Sequence, residues 1–345
     1  MSLPEVHLVA GSCAEAVRLA PVALALRKQR RLTPVLVAAG ADPDTVGRTL
    51  MAFGVTPGIT LPTGDAETEA IRRFDELWAV RTPGVVLVRD SLPAALAAYW
   101  RRVPIVQLDA GRRSAELDPA GSAEADRRLL AQVTTVHLAA TPLAAMNLLD
   151  EQVVAGDVLL TGSTAADAMR LLTDLPARPR NRTRRTVLAH VEDDLAGLLG
   201  LALRPLTDRF PDVELVAPEH FLSYPERVRL IAEAYVVVTD NADFAEEALA
   251  AGVPVLLTRD GAEHTESLLA GSARLTGPEP GAIADDVARL LISRMHRDAM
   301  AAGGNPFGDG LAAVRVAQAT AALLGHGQFP DPMPARPHAG ALRQK

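Results

Sequence analysis

At 345 residues the chain is long enough for two domains of ordinary size, each with its own core. Apolar residues make up 48% and aromatics only 3%, so those cores rest on Ala, Leu and Val; a net charge of −7, with no basic run flanked by aromatics, excludes a nucleic-acid-binding signature. A lone cysteine, Cys13, excludes an internal disulfide and a cysteine metal cluster, and apolar runs of only strand length leave no membrane span. The first strand starts so close to Met1 that no signal peptide fits, and the cytoplasm is the expected compartment.

In chain order, strands are predicted at Val6–Ala10, Pro34–Ala38, Val85–Val88, Ile105–Leu108 and Val136–Ala139. Helices are predicted at Glu15–Arg30, Pro43–Phe53, Thr68–Trp78, Pro93–Arg102 and Ala123–Gln132. Strand–helix alternation of this length means a parallel, doubly wound sheet, whose ligands sit outside the carboxyl ends of the strands. Val158–Gly162 closes this series, and the Pro- and Arg-rich stretch to Arg185 reads as a linker. A second series follows with strands at Thr186–Ala189, Val213–Ala217, Val236–Thr239 and Val253–Leu257, then helices at Ile283–Leu291 and Leu311–Leu324. The expected fold class is α/β: two Rossmann-like doubly wound domains facing a central cleft, the arrangement of one large glycosyltransferase class (GT-B-like). The expected divisions are 1–170, a linker over 171–185, a nucleotide-binding domain over 186–310, a terminal helix over 311–325 and a Pro-rich disordered tail over 326–345.

The segment from Tyr235 to Glu266 is the most telling. A buried strand meets a polar turn, Asp240 to Asp243, and then a helix carrying Glu246 and Glu247. Unpaired backbone N–H groups and the helix dipole favour an anion at such a turn, and a carboxylate farther along the helix can accept hydrogen bonds from ribose hydroxyls. An ordinary α/β crossover would show the same pattern, and Glu246 and Glu247 would then be acids favoured by the helix dipole.

Several short motifs follow one another in a recognisable order. Gly11 to Pro21 resembles GTRPEAIKMAP, Val103 to Ser114 is similar to IPVGHVEAGLRT, and Ala123 to Arg128 matches PEEANRR. Leu160 to Thr164 matches VTGNT, and Ala189-His190 stands at GHRREN. Thr239 to Ala248 parallels TDSGGIQEEA, and Asn305 to Gly310 is close to NPYGDG. From about Val6 to Leu324 the chain therefore resembles the non-hydrolysing UDP-N-acetylglucosamine 2-epimerases.

That resemblance implies interconversion of UDP-N-acetylglucosamine and UDP-N-acetylmannosamine, or a related nucleotide sugar, by elimination and re-addition of UDP. It implies no cofactor and no metal, a UDP-sugar as partner, and a homodimer or assembly with a paralogue. Carboxylates near C2 and C3 would move protons and cations would hold the departing diphosphate. By position, Asp109 and Glu124 form the acidic pair, Asp90 stands in for the aspartate of HGDT, and His190 meets the diphosphate or assists its departure. Glu247 would hold the ribose, with Arg18, Arg112, His220, Asn241 and Ala242 completing the substrate-binding set.

The chain also departs from the family pattern. Cys13 stands where the opening arginine would meet phosphate, and Asp109 is one methylene shorter than the family's glutamate. Ala242-Asp243 replaces Gly-Gly in the phosphate turn, Val191 and Glu192 replace arginines, and His264 replaces another. Arg18, Arg112, Arg113 and Arg259 are candidate compensators. Two other classes therefore stay open: a catalytically impaired homologue serving as a binding or assembly partner, and a sugar-nucleotide hydrolase or transferase of altered scope. Outside the site, His137 reads as a core histidine, Asn305 to Gly310 as a structural turn, and Arg127 and Arg128 as surface ion-pair partners.

Overall fold

The computed structural model describes residues 3–64, 66–114, 123–173, 184–191, 193–218, 222–259, 261 and 264–334. Among them, those up to Ala168 together with those from Gly308 onward form one compact unit, and those from Met169 to Phe307 form another. Both are α/β with a parallel sheet, as the alternation predicts.

The first unit carries strands β1 (Glu5–Ala10), β2 (Thr33–Gly40), β3 (Ile59–Pro62), β4 (Val85–Val88), β5 (Ile105–Ala110), β6 (Val136–Ala139) and β7 (Val158–Leu160). Its helices are α1 (Cys13–Gln29), α2 (Pro43–Met51), α3 (Glu67–Val80), α4 (Leu92–Trp100), α5 (Ala123–Val133) and α6 (Pro142–Asp150); α7 (Ala165–Thr173) leads into the second unit. Central strands are covered on both faces and so read as continuous apolar runs: β4 is buried at every position. The sheet order is β3-β2-β1-β4-β5-β6-β7, so the winding reverses between β1 and β4. The core between sheet and helices packs Val9, Val37, Val86 and Val88 against Phe74, Trp78 and the alanines of α4. Strand β3 and helices α6 and α7 escaped the sequence reading. Ile59–Pro62 is only half-buried at the sheet edge and ends in proline, which blurs a strand pattern.

At the amino end of β1, His7 is fully buried. Its Nδ1 accepts from the Trp78 indole N–H at 3.1 Å, and its Nε2 faces Glu5 at 3.1 Å. Glu5 in turn accepts two hydrogen bonds from Arg81, at 2.9 and 2.8 Å. His137, as expected, is a core histidine whose Nε2 donates to the Ala131 carbonyl at 2.8 Å.

The second unit carries strands β8 (Arg185–His190), β9 (Val213–Val216), β10 (Ala234–Thr239), β11 (Val255–Leu257) and β12 (Ala273–Leu275), in the order β12-β11-β10-β8-β9. Its helices are α8 (Asp193–Arg209), α9 (Tyr224–Glu233), α10 (Ala242–Ala250), α11 (Thr265–Leu269), α12 (Pro280–Ile292) and α13 (Arg294–Ala301). Here the winding reverses between β8 and β10. Val187, Val236, Val238 and Leu256 pack on Leu199, Leu203, Val287 and Leu291 as a separate core.

The chain then returns to the first unit through α14 (Ala312–Leu323), which packs against α1. Asp309 accepts from the Leu311 N–H and pairs with both terminal nitrogens of Arg315, which holds the turn that enters α14. The start of the expected disordered tail is instead docked: Met333 is buried and its N–H donates to the Leu160 carbonyl at 2.7 Å, an extra pairing for a short strand. Among the described residues, no helix is long and apolar enough to cross a membrane.

Candidate functional site

In a doubly wound sheet the loops leaving the two strands at the reversal point diverge, and the crevice between them is where ligands bind. In the first unit those strands are β1 and β4. Their exit loops are joined by Glu15, a side chain that sequence reasoning passed over. Its Oε2 accepts from the Gly11 N–H at 2.8 Å and its Oε1 from the Asp90 N–H at 3.1 Å. Burial, followed by the nearby Asp90 carboxylate, pushes the Glu15 carboxyl above its ordinary pKa. A carboxylate thus fills the place where many nucleotide-binding sheets receive a phosphate.

Around that bridge the first unit collects its candidates. Asp109 lies at a register shift near the end of β5 and adopts a left-handed φ of 53°, a conformation aspartate tolerates better than most residues. Arg89, buried at the end of β4, donates its Nε–H to Asp109 at 2.9 Å and reaches Asp90 at 3.6 Å. Asp90 also lies 3.7 Å from Arg127, whose other end is 3.5 Å from Glu124. Glu124, buried in the first turn of α5, accepts from the Ser114 N–H and from Arg128, each at 3.0 Å, and has Arg113 at 3.7 Å. Asp90, Asp109 and Glu124 are therefore members of one charge network, linked by Arg89 and Arg127. Arg127 is thus more than the surface partner its sequence position implied.

The network fixes the carboxylates and surrounds them with positive charge. The ion pairs fix where the three carboxylates sit at this strand edge. The loop carrying Asp109 is itself held. Gly111 has a φ of 82°, and an added Cβ would come within 2.0 Å of the Ala144 carbonyl on α6. Asn147 donates to the Gly111 carbonyl at 2.9 Å.

Arg18 is buried on α1, where it donates to Ser163 Oγ at 2.7 Å just beyond β7. Arg112 is half-buried beside Gly111. Arg113 is committed to Glu151 through two hydrogen bonds, at 2.8 and 2.6 Å. Cys13, half-buried, opens α1 at the same strand edge.

In the second unit the reversal point is flanked by His190, which ends β8, and Asn241, which follows β10. Asn241 caps α10: its Oδ1 accepts from the Phe244 N–H at 2.9 Å, and its own N–H is held by Thr239 Oγ1 at 3.1 Å. The helix starts at Ala242, and Glu247 is buried farther along it. The His190 and Phe244 rings lie 4.4 Å apart between centroids. Over the same Phe244 ring, at 4.6 Å, sits the guanidinium of Arg227 from the first turn of α9, and its Nε is 2.7 Å from Glu247 Oε2. Burial, then the positive charge of Arg227, lowers the His190 pKa against the opposing pull of Asp240, so the imidazole is neutral near pH 7.

Beside this group, a cavity of about 530 Å³ opens over the ends of β10, β11 and β12, lined in part by Leu195, Leu198, Asp240, Thr258 and Arg259. His220 and Glu192 fall outside the described residues. Among the described residues, no group of three or more His, Cys, Asp or Glu side chains is arranged to hold a metal ion.

Glu15, Arg89, Phe244 and Arg227 are the site-edge residues that the sequence did not single out. A signal existed for Arg89, which directly precedes Asp90 at a strand's carboxyl end. Arg227 carried none, because its partners are contributed by β8 and α10.

Comparison with known proteins agrees with this architecture. The profile of the family described as UDP-N-acetylglucosamine 2-epimerase matches residues 25–196 and 195–321. The Escherichia coli K12 protein named UDP-N-acetylglucosamine 2-epimerase is 27% identical over 91% of this chain and 98% of its own length. A Listeria monocytogenes crystal structure assigned to the same activity superposes with a TM-score of 0.90 at 25% identity, over 96% of this chain and 100% of that one. The Neisseria meningitidis UDP-GlcNAc 2-epimerase, solved bound to UDP-GlcNAc, shares the fold with a TM-score of 0.82 at 23% identity, over 93% of this chain and 100% of that one.

Proposed function

This chain belongs to the UDP-N-acetylglucosamine 2-epimerase family, and from that premise we propose that it is an isomerase interconverting UDP-N-acetylglucosamine and UDP-N-acetylmannosamine. A base removes the proton at C2 while the C1–O bond to UDP breaks. The C2–H electron pair becomes the C1–C2 double bond of a 2-acetamido glycal, and the C1–O pair leaves with UDP. A phosphate oxygen of UDP then adds back at C1 as a proton is delivered to the opposite face of C2.

The observation that carries this reading is the single charge network holding Asp90, Asp109 and Glu124 at one strand edge, in a chain that matches the family over most of its length. In this proposal Asp90 and Glu124 are the proton-moving groups. Asp109, held by the buried Arg89, completes the acidic set beside them. On the second unit, neutral His190 donates a hydrogen bond to the leaving diphosphate, Asn241 and Ala242 border it, and Glu247 accepts from ribose hydroxyls. Arg18 and Arg112 support the fold and charge of the first unit's edge, and His220 belongs to the same substrate-binding set. The enzyme works in the cytoplasm and as a homodimer; the exposed Tyr99 and Trp100 on α4 and Leu129 on α5 support the dimer, and sedimentation tests it.

Proton NMR of the purified protein with UDP-N-acetylglucosamine in D2O tests the proposal. Deuterium is expected at C2; none at high enzyme concentration would overturn it. A second reading, a homologue that binds the nucleotide sugar without turning it over, draws on Cys13 in place of an arginine and on the Arg89–Asp109 pair. It gains if UDP raises the melting temperature while C2 stays protonated.

A further inference from the structure

We propose that Arg227 is the cation that receives the diphosphate on the second unit, taking over the work of the arginines this chain has lost. The inference rests on the epimerase reading and adds a residue to it.

Three observations converge on Arg227. Its Nε lies 2.7 Å from Glu247, the carboxylate assigned to the ribose, so its charge stands next to the place where a nucleoside's hydroxyls would be held. Its guanidinium plane rests on Phe244, 4.6 Å from the ring centroid, which keeps the long side chain at the reversal point between β8 and β10. Among the described residues its Nη2 is buried with no hydrogen-bond acceptor, and its Nε meets Glu247 as an ion pair without hydrogen-bond geometry. A buried donor without an acceptor is destabilising, and such groups in folded proteins call for an explanation; a ligand oxygen supplies one here.

The chemistry fits that oxygen. A guanidinium is a fork whose nitrogens can serve two acceptors at once, so one side can stay on the ribose-binding carboxylate while another takes a phosphate oxygen. A nucleoside diphosphate presents these two groups side by side, hydroxyls and phosphate on one ribose. The phosphate would then lie between Arg227 and neutral His190, both of which already touch Phe244. Elsewhere the family pattern's cations are replaced, by Cys13, Val191, Glu192 and His264, so one new cation on α9 restores part of the missing charge.

Calorimetric titrations of UDP and of uridine into wild type, Arg227→Met and Arg227→Lys test the assignment, with circular dichroism to verify folding. Wild type is expected to bind UDP more tightly than uridine. Arg227→Met is expected to weaken UDP about 10- to 100-fold while leaving uridine within about threefold, the loss of one charge-assisted contact. Arg227→Lys should recover part of the UDP affinity, and raising salt should weaken UDP binding less in the methionine variant than in wild type. Unchanged or tighter UDP binding by Arg227→Met would overturn the inference and leave the epimerase reading standing. Equal losses for UDP and uridine, without rescue by lysine, would reduce Arg227 to a structural partner of Glu247. Wild-type protein that binds no UDP would overturn both.

Discussion

On the first unit the carboxyl edge of the sheet is a chain of alternating charges, running from Asp109 through Arg89, Asp90 and Arg127 to Glu124, with Glu15 bridging the strand exits. Among the described residues, the corresponding edge of the second unit sets the His190 and Phe244 rings and the Arg227–Glu247 pair around a helix start, with Asp240 and Arg259 lining the cavity beside them. Both edges occupy the same topological position, so the sheet alone does not decide their chemistry. In the proposed reaction the edge bridged by a carboxylate handles protons, and the edge whose arginine has a nitrogen without an acceptor among the described residues holds an anion. The same scaffold serves both ends because the loops, rather than the strands, carry the difference.

The sharpest way to break this comparison is Glu124→Gln. It keeps the side-chain shape but removes the proton-moving group, and solvent deuterium incorporation at C2 is expected to fall about 10²- to 10⁴-fold while UDP binding is retained. Full exchange in this variant would mean that Glu124 is not one of the proton-moving groups.

A second substitution probes the network as structure. Arg89→Met leaves the Asp109 carboxylate, 6% exposed, without its buried guanidinium, and chemical denaturation should show a loss of about 3–5 kcal/mol. Pairing it with Asp109→Asn should restore part of that stability. A loss no larger than for an exposed pair would show that the network is loosely held.

The smallest effect belongs to the opposite end of the first sheet, where the Glu5–Arg81 pair is remote from the site. Arg81 lowers the Glu5 pKa from an ordinary 4.5 to about 2, so the pair's contribution is present above pH 4.5 and fades as pH falls towards 2. Glu5→Gln should lower stability by no more than about 1 kcal/mol at pH 7, with the difference from wild type shrinking in acid melts. Exchange at C2 should not change. If it did, the division between a functional and a structural end of the sheet would fail.

The alternation of apolar runs and amphipathic segments was enough to reveal both sheets, because strands such as Val85–Val88 are buried on both faces and carry no polar interruption. The edges were harder. Ile59–Pro62 is half-buried, and no clean period survives there. Within the site, Asp90, Asp109, Glu124, His190 and Glu247 stood out because each sits in a motif or at a strand end. Their partners did not. Arg89 meets Asp109 across neighbouring strands, and Arg227 meets Glu247 across two helices, so neither pairing leaves a local pattern. The docking of Met333 on β7 is likewise a tertiary contact inside a stretch whose composition argued for disorder.

The fit of Gly111 against Ala144 bears on how this protein can change over generations. A single methyl group at position 111 would overlap the neighbouring carbonyl and push on a backbone that positions Asp109 two residues earlier. Drift in this loop is thus channelled toward side chains and away from the main-chain path. A lineage could exchange the acid at 109 and the cation at 89 together, yet inherit the same curve of polypeptide beneath them.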